Sequence, residues 1–595
     1  MSSLTPMLEP ENSASPAPVD AGFTPEQKQY LVDMLAQLNL SQTFGGGQGQ
    51  SQGGADESFW GTPIDDLCKE EKKKSETHVL DIWDQIVEHN DTNQIADGIN
   101  NYMFRHHGLF NVAPNMEGYM CRMRLPACKL RGDQLFSLGQ IANEIAGGYT
   151  HVTTRGNLQF REISPNKILD LFAAFYDIGL SSKGSGADSA RNLTASPTAG
   201  FDPLELMDLH GYALQLSHRV LNTRDLHGIP RKFNISFDNA GSISVVSDTN
   251  DVAFVATEVL ANDQSVEPGL YCRVLLGGIT GHEDFARDSG VVCKPEDTPE
   301  VAEAILRVFL EHGDRTNRKK ARFKYVIDKH GLEWVVDCIQ QKLDSFGRDV
   351  KLIPLSCKFD APRAPINRRG HIGVHPQSQA GYNYIGVALR IGKMTGEQMQ
   401  GLGQIAQKYG ANDVRLTVWQ NLIIPHVADD DVEAVVEAIK KLGLEISASA
   451  FSAGAVACTG RWGCKLANAY TKQDAETIVD QLQKSFGELD TPLNIHLTGC
   501  PNSCAQHYIG DIGLVGTPAE DGSEGYDVYV GGGCDQDQGL ARYLCGPISS
   551  KDVGNLSEQI IGNYLKSREE NESFLAFSKR HDDSQLKSML LAPNE

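Results

Sequence analysis

The chain has 595 residues, 40% of them hydrophobic and 22% charged, a balance that points to a globular protein of several domains and excludes a disordered or fibrous one. Its formal net charge of −23 makes nucleic acid a poor partner. No apolar run approaches the length of a membrane-spanning helix, so no membrane insertion is expected. Met1-Ser2-Ser3-Leu4-Thr5 carries neither a basic nor an apolar leader segment, and the expected compartment is the cytoplasm, where thiols stay reduced.

Residues 1–60 read as a flexible tail containing one short helix. Thr24-Pro25-Glu26 supplies an N-cap, a proline at the first helical position and an acidic first turn. Tyr30, Leu31, Met34, Leu35 and Leu38 then share one helical face. Gly45 to Gly54, all Gly, Gln and Ser, is a linker by composition. Residues 61–112 form an N-terminal helical extension, in which Glu70-Glu71-Lys72-Lys73-Lys74 reads as a solvated helix face.

The body that follows contains an internal repeat. Leu138-Gly139-Gln140-Ile141-Ala142 recurs as Leu402-Gly403-Gln404-Ile405-Ala406. The same register aligns Gly132-Asp133-Gln134 with Gly396-Glu397-Gln398, Thr153 with Thr417, and Asn157 with Asn421. Chance does not hold a register across so many positions, so the body is built from two related halves. Each copy reads strand, turn, helix, strand, and is too small to bury its own sheet face. The two copies, 113–168 and 372–430, are therefore expected to pair into one α+β domain.

Each copy leads into a larger α/β domain, 169–371 and 431–582. Both contain a strand-like run ending in glycines, Tyr271 to Gly278 and Tyr526 to Gly533. The second also holds four cysteines in two Gly-rich loops. These are Cys458 and Cys464, spaced C-x5-C, and Cys500 and Cys504, spaced C-x3-C within Thr498-Gly499-Cys500-Pro501-Asn502-Ser503-Cys504. Structural zinc generally uses C-x2-4-C spacing. A disulfide pair does not suit a reducing compartment, and inert core thiols do not gather in glycine loops. The spacing favours a cubane iron–sulfur cluster over these alternatives, because loops let four sulfurs converge on its corners. The other nine cysteines show no ligand spacing and read as free thiols.

C-x5-C followed by T-G-C-P-N-S-C resembles the cluster motif of the siroheme and [4Fe–4S] nitrite and sulfite reductases, closest to the ferredoxin-dependent assimilatory nitrite reductases. Similarity extends over roughly residues 100–580. The resemblance implies a pseudo-twofold α+β fold. Two ferredoxin-like half-domains would pair into one domain, joined by two larger α/β domains that hold siroheme and the cluster. It also implies that Cys458, Cys464, Cys500 and Cys504 hold the [4Fe–4S] cluster, with Cys504 shared with the siroheme iron.

Further motifs carry the resemblance. Met120-Cys121-Arg122-Met123-Arg124 supplies Arg122, Asp188-Ser189-Ala190-Arg191-Asn192 supplies Arg191, and Pro230-Arg231-Lys232-Phe233-Asn234 supplies Lys232 and Asn234 as the implied anion-binding and catalytic set. Fixed cations suit a small anionic substrate. Arg155 in Thr153-Thr154-Arg155-Gly156-Asn157 resembles a siroheme carboxylate ligand. The basic run from Arg315 to Lys324 is implied to contribute Arg318 and Lys319, against the plainer reading of a solvated helix face. Pro230–Asn234 is expected to occupy a place in the first half similar to that of Cys500–Cys504 in the second.

Asn234 separates the two substrates. Sulfite reductases of the family carry Lys there and nitrite reductases Asn, and one fewer cation suits the monoanion. The resemblance thus implies six-electron reduction of nitrite to ammonium by a monomer, with ferredoxin as electron carrier. The rival on the same scaffold is sulfite reduction. A rival of another class is a non-catalytic iron–sulfur redox sensor, which needs no anion clamp.

Overall fold

The computed structural model describes residues 58–112, 117–261 and 266–593. The helix expected over Thr24–Leu38 lies outside them. The extension starts with helices α1 (Lys69–Glu76), α2 (Trp83–Asp91) and α3 (Gly98–Phe104). The charged run on α1 is not a solvated face. Glu71 is fully buried and Lys74 only 5% exposed, because both reach into an ion network inside the protein. Helical spacing set them on one side, and their partners come from far along the chain.

The repeat builds two five-stranded sheets. The first copy supplies Tyr119–Arg122, Tyr149–Val152 and Leu158–Ile163 to one sheet, which Leu109–Phe110 of the extension joins at its edge, and the second supplies Gly373–Pro376, Tyr382–Val387, Asp413–Leu416 and Leu422–Ala428 to the other. Each sheet is completed by a three-residue strand from the opposite copy. Lys393–Thr395 pairs with Tyr149–Val152, and Lys129–Arg131 pairs with Asp413–Leu416, both antiparallel. The halves exchange strands.

Helices α4 (Gly132–Ile145) and α5 (Gly396–Tyr409) pack together between the sheets. Their repeated residues are the contact itself. A Cβ on Gly139 would lie 2.5 Å from Gly396 O, and one on Gly403 would lie 2.5 Å from Gly132 O. The repeated Gln caps each helix start, with Gln134 Oε1 accepting from Arg131 N and Gln398 Oε1 from Thr395 N, both at 3.0 Å. One hydrophobic core runs through this unit, from Val79 and Ile86 of the extension to Phe175 in the first half and Leu444 in the second.

The two larger domains share a topology. In the first, β1 (Thr194–Ala195), β2 (Ile235–Asp238), β3 (Val252–Val259), β4 (Gly269–Leu276) and β5 (Arg287–Cys293) are neighbours in that order, with Ile353–Pro354 beyond. In the second the order is β6 (Ala455–Ala457), β7 (Ile495–Thr498), β8 (Ile512–Pro518), β9 (Glu524–Val530) and β10 (Arg542–Ser549). In each, the first three strands run parallel and the rest antiparallel. The glycine-ended runs are β4 and β9. Among the described residues no helix is long and apolar enough to cross a membrane.

Candidate active site

The thiol loops leave adjacent parallel strands. Cys458 follows β6 directly, and Cys500 and Cys504 follow β7. Between the loops runs α6 (Thr471–Phe486). Hydrogen bonds tie the first loop to the second and to the helix: Gly499 N–H donates to Cys458 Sγ at 3.1 Å, and the Thr471 side-chain hydroxyl at the start of α6 to Cys458 O at 2.8 Å. Left-handed residues Ser503 (φ 54°) and Gln506 (φ 56°) turn the second loop back on itself. All four cysteines line one cavity of about 620 Å³, which also takes in Arg122, Arg155, Arg191, Lys232, Asn234, Arg318 and Lys319. The surface that Cys504 exposes belongs to this cavity. Burial and the neighbouring Cys458 push its thiol up to about 11, with Lys232 pulling the other way. Ligation to iron would deprotonate it.

The cations arrive on three segments. Arg122 ends the strand Tyr119–Arg122, its guanidinium 4.7 Å from the centre of the Phe110 ring. Its neighbour Arg124 faces the other way and holds Gly184 O and Ala190 O at 3.1 and 2.9 Å, anchoring the stretch that leads to Arg191. A parallel bridge joins Ala190 to Phe233: Arg191 N–H donates to Phe233 O at 2.8 Å, and Phe233 N–H to Ser189 O at 3.1 Å. Phe233 points into the core against Phe309 and Phe323, so Lys232 and Asn234 on either side of it both face the cavity.

Burial lowers the pKa of Arg122 and of Arg191, in the latter case well below the ordinary value with Arg122 as the next cause. Burial and Arg322 bring Lys232 down to about 7. Among the described residues none of the three pairs with a carboxylate, and the buried Nε atoms of Arg122 and Arg191 have no hydrogen-bond partner. Like charges are thus held together with donors left over, which is how an anion site looks.

Three expectations need correction or refinement. Arg155 donates from Nε and Nη2 to Asn192 O, from Nη2 to Ile235 O and from Nη1 to Asn250 Oδ1, which leaves a single Nη1 donor for a ligand. Gly156 (φ +50°) makes this turn possible, since a Cβ there would lie 2.3 Å from Cys128 Sγ. Arg318 lines the cavity but is held bidentately by Asp188 at 2.7 and 2.9 Å, whereas Lys319 pairs with no carboxylate among the described residues. Pro230–Asn234 and Cys500–Cys504 share the cavity but are not topological equivalents. The first precedes β2, and the second follows β7. The strand pairing Val252 with Ile235 and Ile512 with Ile495 matches Asn234 instead to Asn494.

Two cations here were not singled out from the sequence. Arg161 donates to Gln159 Oε1 at 2.8 Å and to Thr459 Oγ1 at 2.6 Å, beside the first thiol loop. Lys472, on α6, is brought down to about 7 by burial and then Arg161, and Cys458 opposes the shift. Alternation along Leu158–Ile163 was the available signal, because Gln159 and Arg161 lie on one face of the strand and both line the cavity.

The donor set suits a cluster better than a single ion. Among the described residues no three His, Cys, Asp or Glu side chains converge as one metal ion requires, whereas a cubane spreads four thiolates over its corners. Eight siroheme carboxylates call for cations, which the opposite wall supplies.

Residues 186–345 and 454–574 match the nitrite and sulphite reductase 4Fe-4S domain, and residues 113–177 and 375–442 the nitrite/sulfite reductase ferredoxin-like half domain. A ferredoxin–nitrite reductase from Synechococcus elongatus is 31% identical over 83% of this chain and 96% of its own. A protein named sulfite reductase [ferredoxin] 2, from Mycolicibacterium paratuberculosis, is 30% identical over 79% of this chain and 83% of its own. The Mycobacterium tuberculosis NirA structure superimposes with a TM-score of 0.79 at 26% identity, covering 87% of this chain and 97% of that one. The chain is an oxidoreductase of the nitrite and sulfite reductase family, whose cofactors are siroheme and a [4Fe–4S] cluster.

Proposed function

We propose that the chain reduces nitrite to ammonium and water by six electrons, delivered one at a time by ferredoxin. Relatives named for nitrite and for sulfite match it to nearly the same degree, so the choice rests on Asn234. At this position the cavity has an uncharged amide two residues from Lys232. One fewer cation favours the monoanion nitrite over the more highly charged sulfite. The name of the mycobacterial relative favours sulfite as the second reading.

Siroheme and the cluster, when bound, would relay the carrier's electrons and offer an iron for the anion to bind. The chain's own residues do the rest. Cys458, Cys464, Cys500 and Cys504 hold the cluster. Cys504 would be the thiolate shared with siroheme, because it is the most exposed of the four cysteines and lines the cavity across which the cations lie. Arg122 and Arg191 bind and orient the anion's oxygens through rigid donors that pair with no carboxylate among the described residues. Lys232, with a depressed pKa, is suited to hand on a proton from Nζ. Asn234 adds an amide donor, Lys319 a cation unpaired among the described residues, and Arg155 one donor for siroheme carboxylates, with Arg318 fixing the wall through Asp188.

Steady-state rates with nitrite and with sulfite, using a reduced viologen as donor, test the choice. Asn234→Lys is expected to lower the nitrite-to-sulfite ratio of kcat/KM at least about tenfold, or 1.4 kcal/mol, with siroheme content unchanged. An unaltered ratio in a fully loaded variant would remove the main support for nitrite. Turnover with ferredoxin should fall as ionic strength passes about 0.1–0.15 M, where the Debye length is roughly 8–10 Å. Turnover with a viologen should not follow it. Identical salt profiles would rule out charge-guided docking of the carrier.

A further inference from the structure

Helix α1 lies outside both family-matched regions, yet its Lys74 reaches the wall that carries the cations. Lys74 Nζ donates to Gly228 O at 3.1 Å and to Ile229 O at 3.0 Å, the two residues before Pro230-Arg231-Lys232. It also lies 3.5 Å from Asp188 Oδ2 and pairs closely with Glu71 on its own helix. Asp188 is three residues before Arg191. Its other partners are Arg318 at 2.7 Å, the Tyr102 hydroxyl at 2.7 Å and Arg231 at 3.5 Å. Glu71 is held from behind by Arg315 at 2.5 Å. A single buried ammonium therefore touches the segment that carries Lys232 and the segment that carries Arg191.

We propose that Lys74 is a positioning residue for the anion site, bracing the Arg191 and Lys232 segments against each other from the N-terminal extension. The backbone bridge between Ala190 and Phe233 fixes the two segments at one point. Lys74 fixes them at a second, and two points of attachment set an angle where one sets only a distance. Without the ammonium, the carbonyls of Gly228 and Ile229 lose their donor, and Asp188 keeps Arg318, Arg231 and the Tyr102 hydroxyl but no tie to the Lys232 segment's entry at Gly228–Ile229. Both cation-bearing segments would then be free to shift, and shifts on the order of 1 Å at a distance from the chemistry can cost about a hundredfold. The sequence hides this role because a Lys in a Glu-Glu-Lys-Lys-Lys run looks solvated.

The inference rests on reading Arg191 and Lys232 as the anion clamp, so the test runs Lys74→Met and Lys232→Met side by side in the holoenzyme. Nitrite is titrated into each oxidised protein and followed by the siroheme absorbance, and KM and kcat are measured with a viologen. For Lys74→Met we expect full siroheme and cluster content. The dissociation constant and KM for nitrite should rise about tenfold to a hundredfold, with kcat changing less. The double variant Glu71→Gln/Lys74→Met removes one carboxylate together with the ammonium, so the net charge of the network is unchanged, and should behave alike. Unchanged nitrite affinity in either loaded Lys74 variant overturns the brace if Lys232→Met weakens binding. If Lys232→Met also leaves affinity unchanged, the clamp reading itself falls. Loss of siroheme from both Lys74 variants, or failure of both to fold, also overturns the proposal, because the helix would then serve loading or folding alone.

Discussion

The two larger domains have the same strand order and carry one matching device. Asn234 N–H donates to Asp251 Oδ2 at 2.8 Å, and Asn494 N–H to Asp511 Oδ2 at 2.7 Å. Each aspartate is then held by an arginine, Arg322 at 2.6 Å and Arg368 at 2.5 Å. Around these equal frames the chemistry diverges. Counting on from the ends of β2 and β7, Ala240 stands where the second domain has Cys500, and Ser244 where it has Cys504. Counting back, Pro492 stands where the first domain has Lys232. One crossing of the pseudo-twofold thus receives the four loop thiols from one domain and the unpaired Arg191 and Lys232 from the other, and the second crossing receives neither set. Its space is filled by Trp419 between His371 and His496, and by the Arg363–Asp238 pair. A symmetric frame yields one site because each side chain set is present on only one copy.

The largest expected effect breaks this comparison at its centre. Cys504→Ser should lower nitrite turnover by more than about a hundredfold, beyond the range of an outer-shell change, and should alter the siroheme spectrum. Ser244→Ala, at the matching position, should leave cofactor content intact. Iron and absorbance measurements on both variants check it, and a loss of siroheme from Ser244→Ala would contradict the asymmetry.

The shared brace sharpens the comparison. Asp251→Asn leaves the buried Arg322 without its partner, which costs about 3–5 kcal/mol in comparable pairs, and Asp511→Asn leaves the half-buried Arg368 without its own. Denaturant unfolding should show a loss of this order for Asp251→Asn and a smaller one for Asp511→Asn. Only Asp251→Asn should also raise KM for nitrite, because Arg322 lines the cavity. Equal kinetic effects would mean that the frame, and not the cavity wall, is what both aspartates serve.

The smallest effect concerns the second crossing. Burial holds both His371 and His496 down to about 4, where the free ring titrates near 6.5. Below pH 6.5 the unfolded chain takes up protons that the folded chain refuses, so stability falls as pH drops from 6.5 towards 4. The loss has an upper bound on the order of 3 kcal/mol per ring. Urea unfolding at a series of pH values should show the fall, and His371→Asn should lessen it by that ring's share, the other buried histidines such as His78, His107 and His507 keeping the rest. A slope unchanged by the substitution would place the titration elsewhere.

Much of this was legible in the sequence, for identifiable reasons. The cysteines announce themselves by spacing, and the repeat by register, because glycines at a close helix crossing and glutamines at a helix start tolerate little change. The exchanged strands Lys129–Arg131 and Lys393–Thr395 were not legible, since three residues carry no periodic pattern. Arg155 was found as a site residue, but nothing local tells how many of its donors meet protein carbonyls. The equivalence of Pro230–Asn234 with Cys500–Cys504 failed because sequence order fixes which segment neighbours a strand but not which end of it faces the site. Glu71 and Lys74 failed for a similar reason, as their partners Arg315, Asp188 and Gly228 lie more than a hundred residues away.

The strand exchange sets a timetable for synthesis. Tyr149–Val152 offers an unpaired edge until Lys393–Thr395 has left the ribosome. At about 5–20 residues per second, that interval lasts roughly ten to fifty seconds. Throughout it the nascent chain displays an open β edge, a ready template for a wrong partner. Neither sheet of the paired unit can close on its own, and the polysome must carry the first half unfinished until the second arrives.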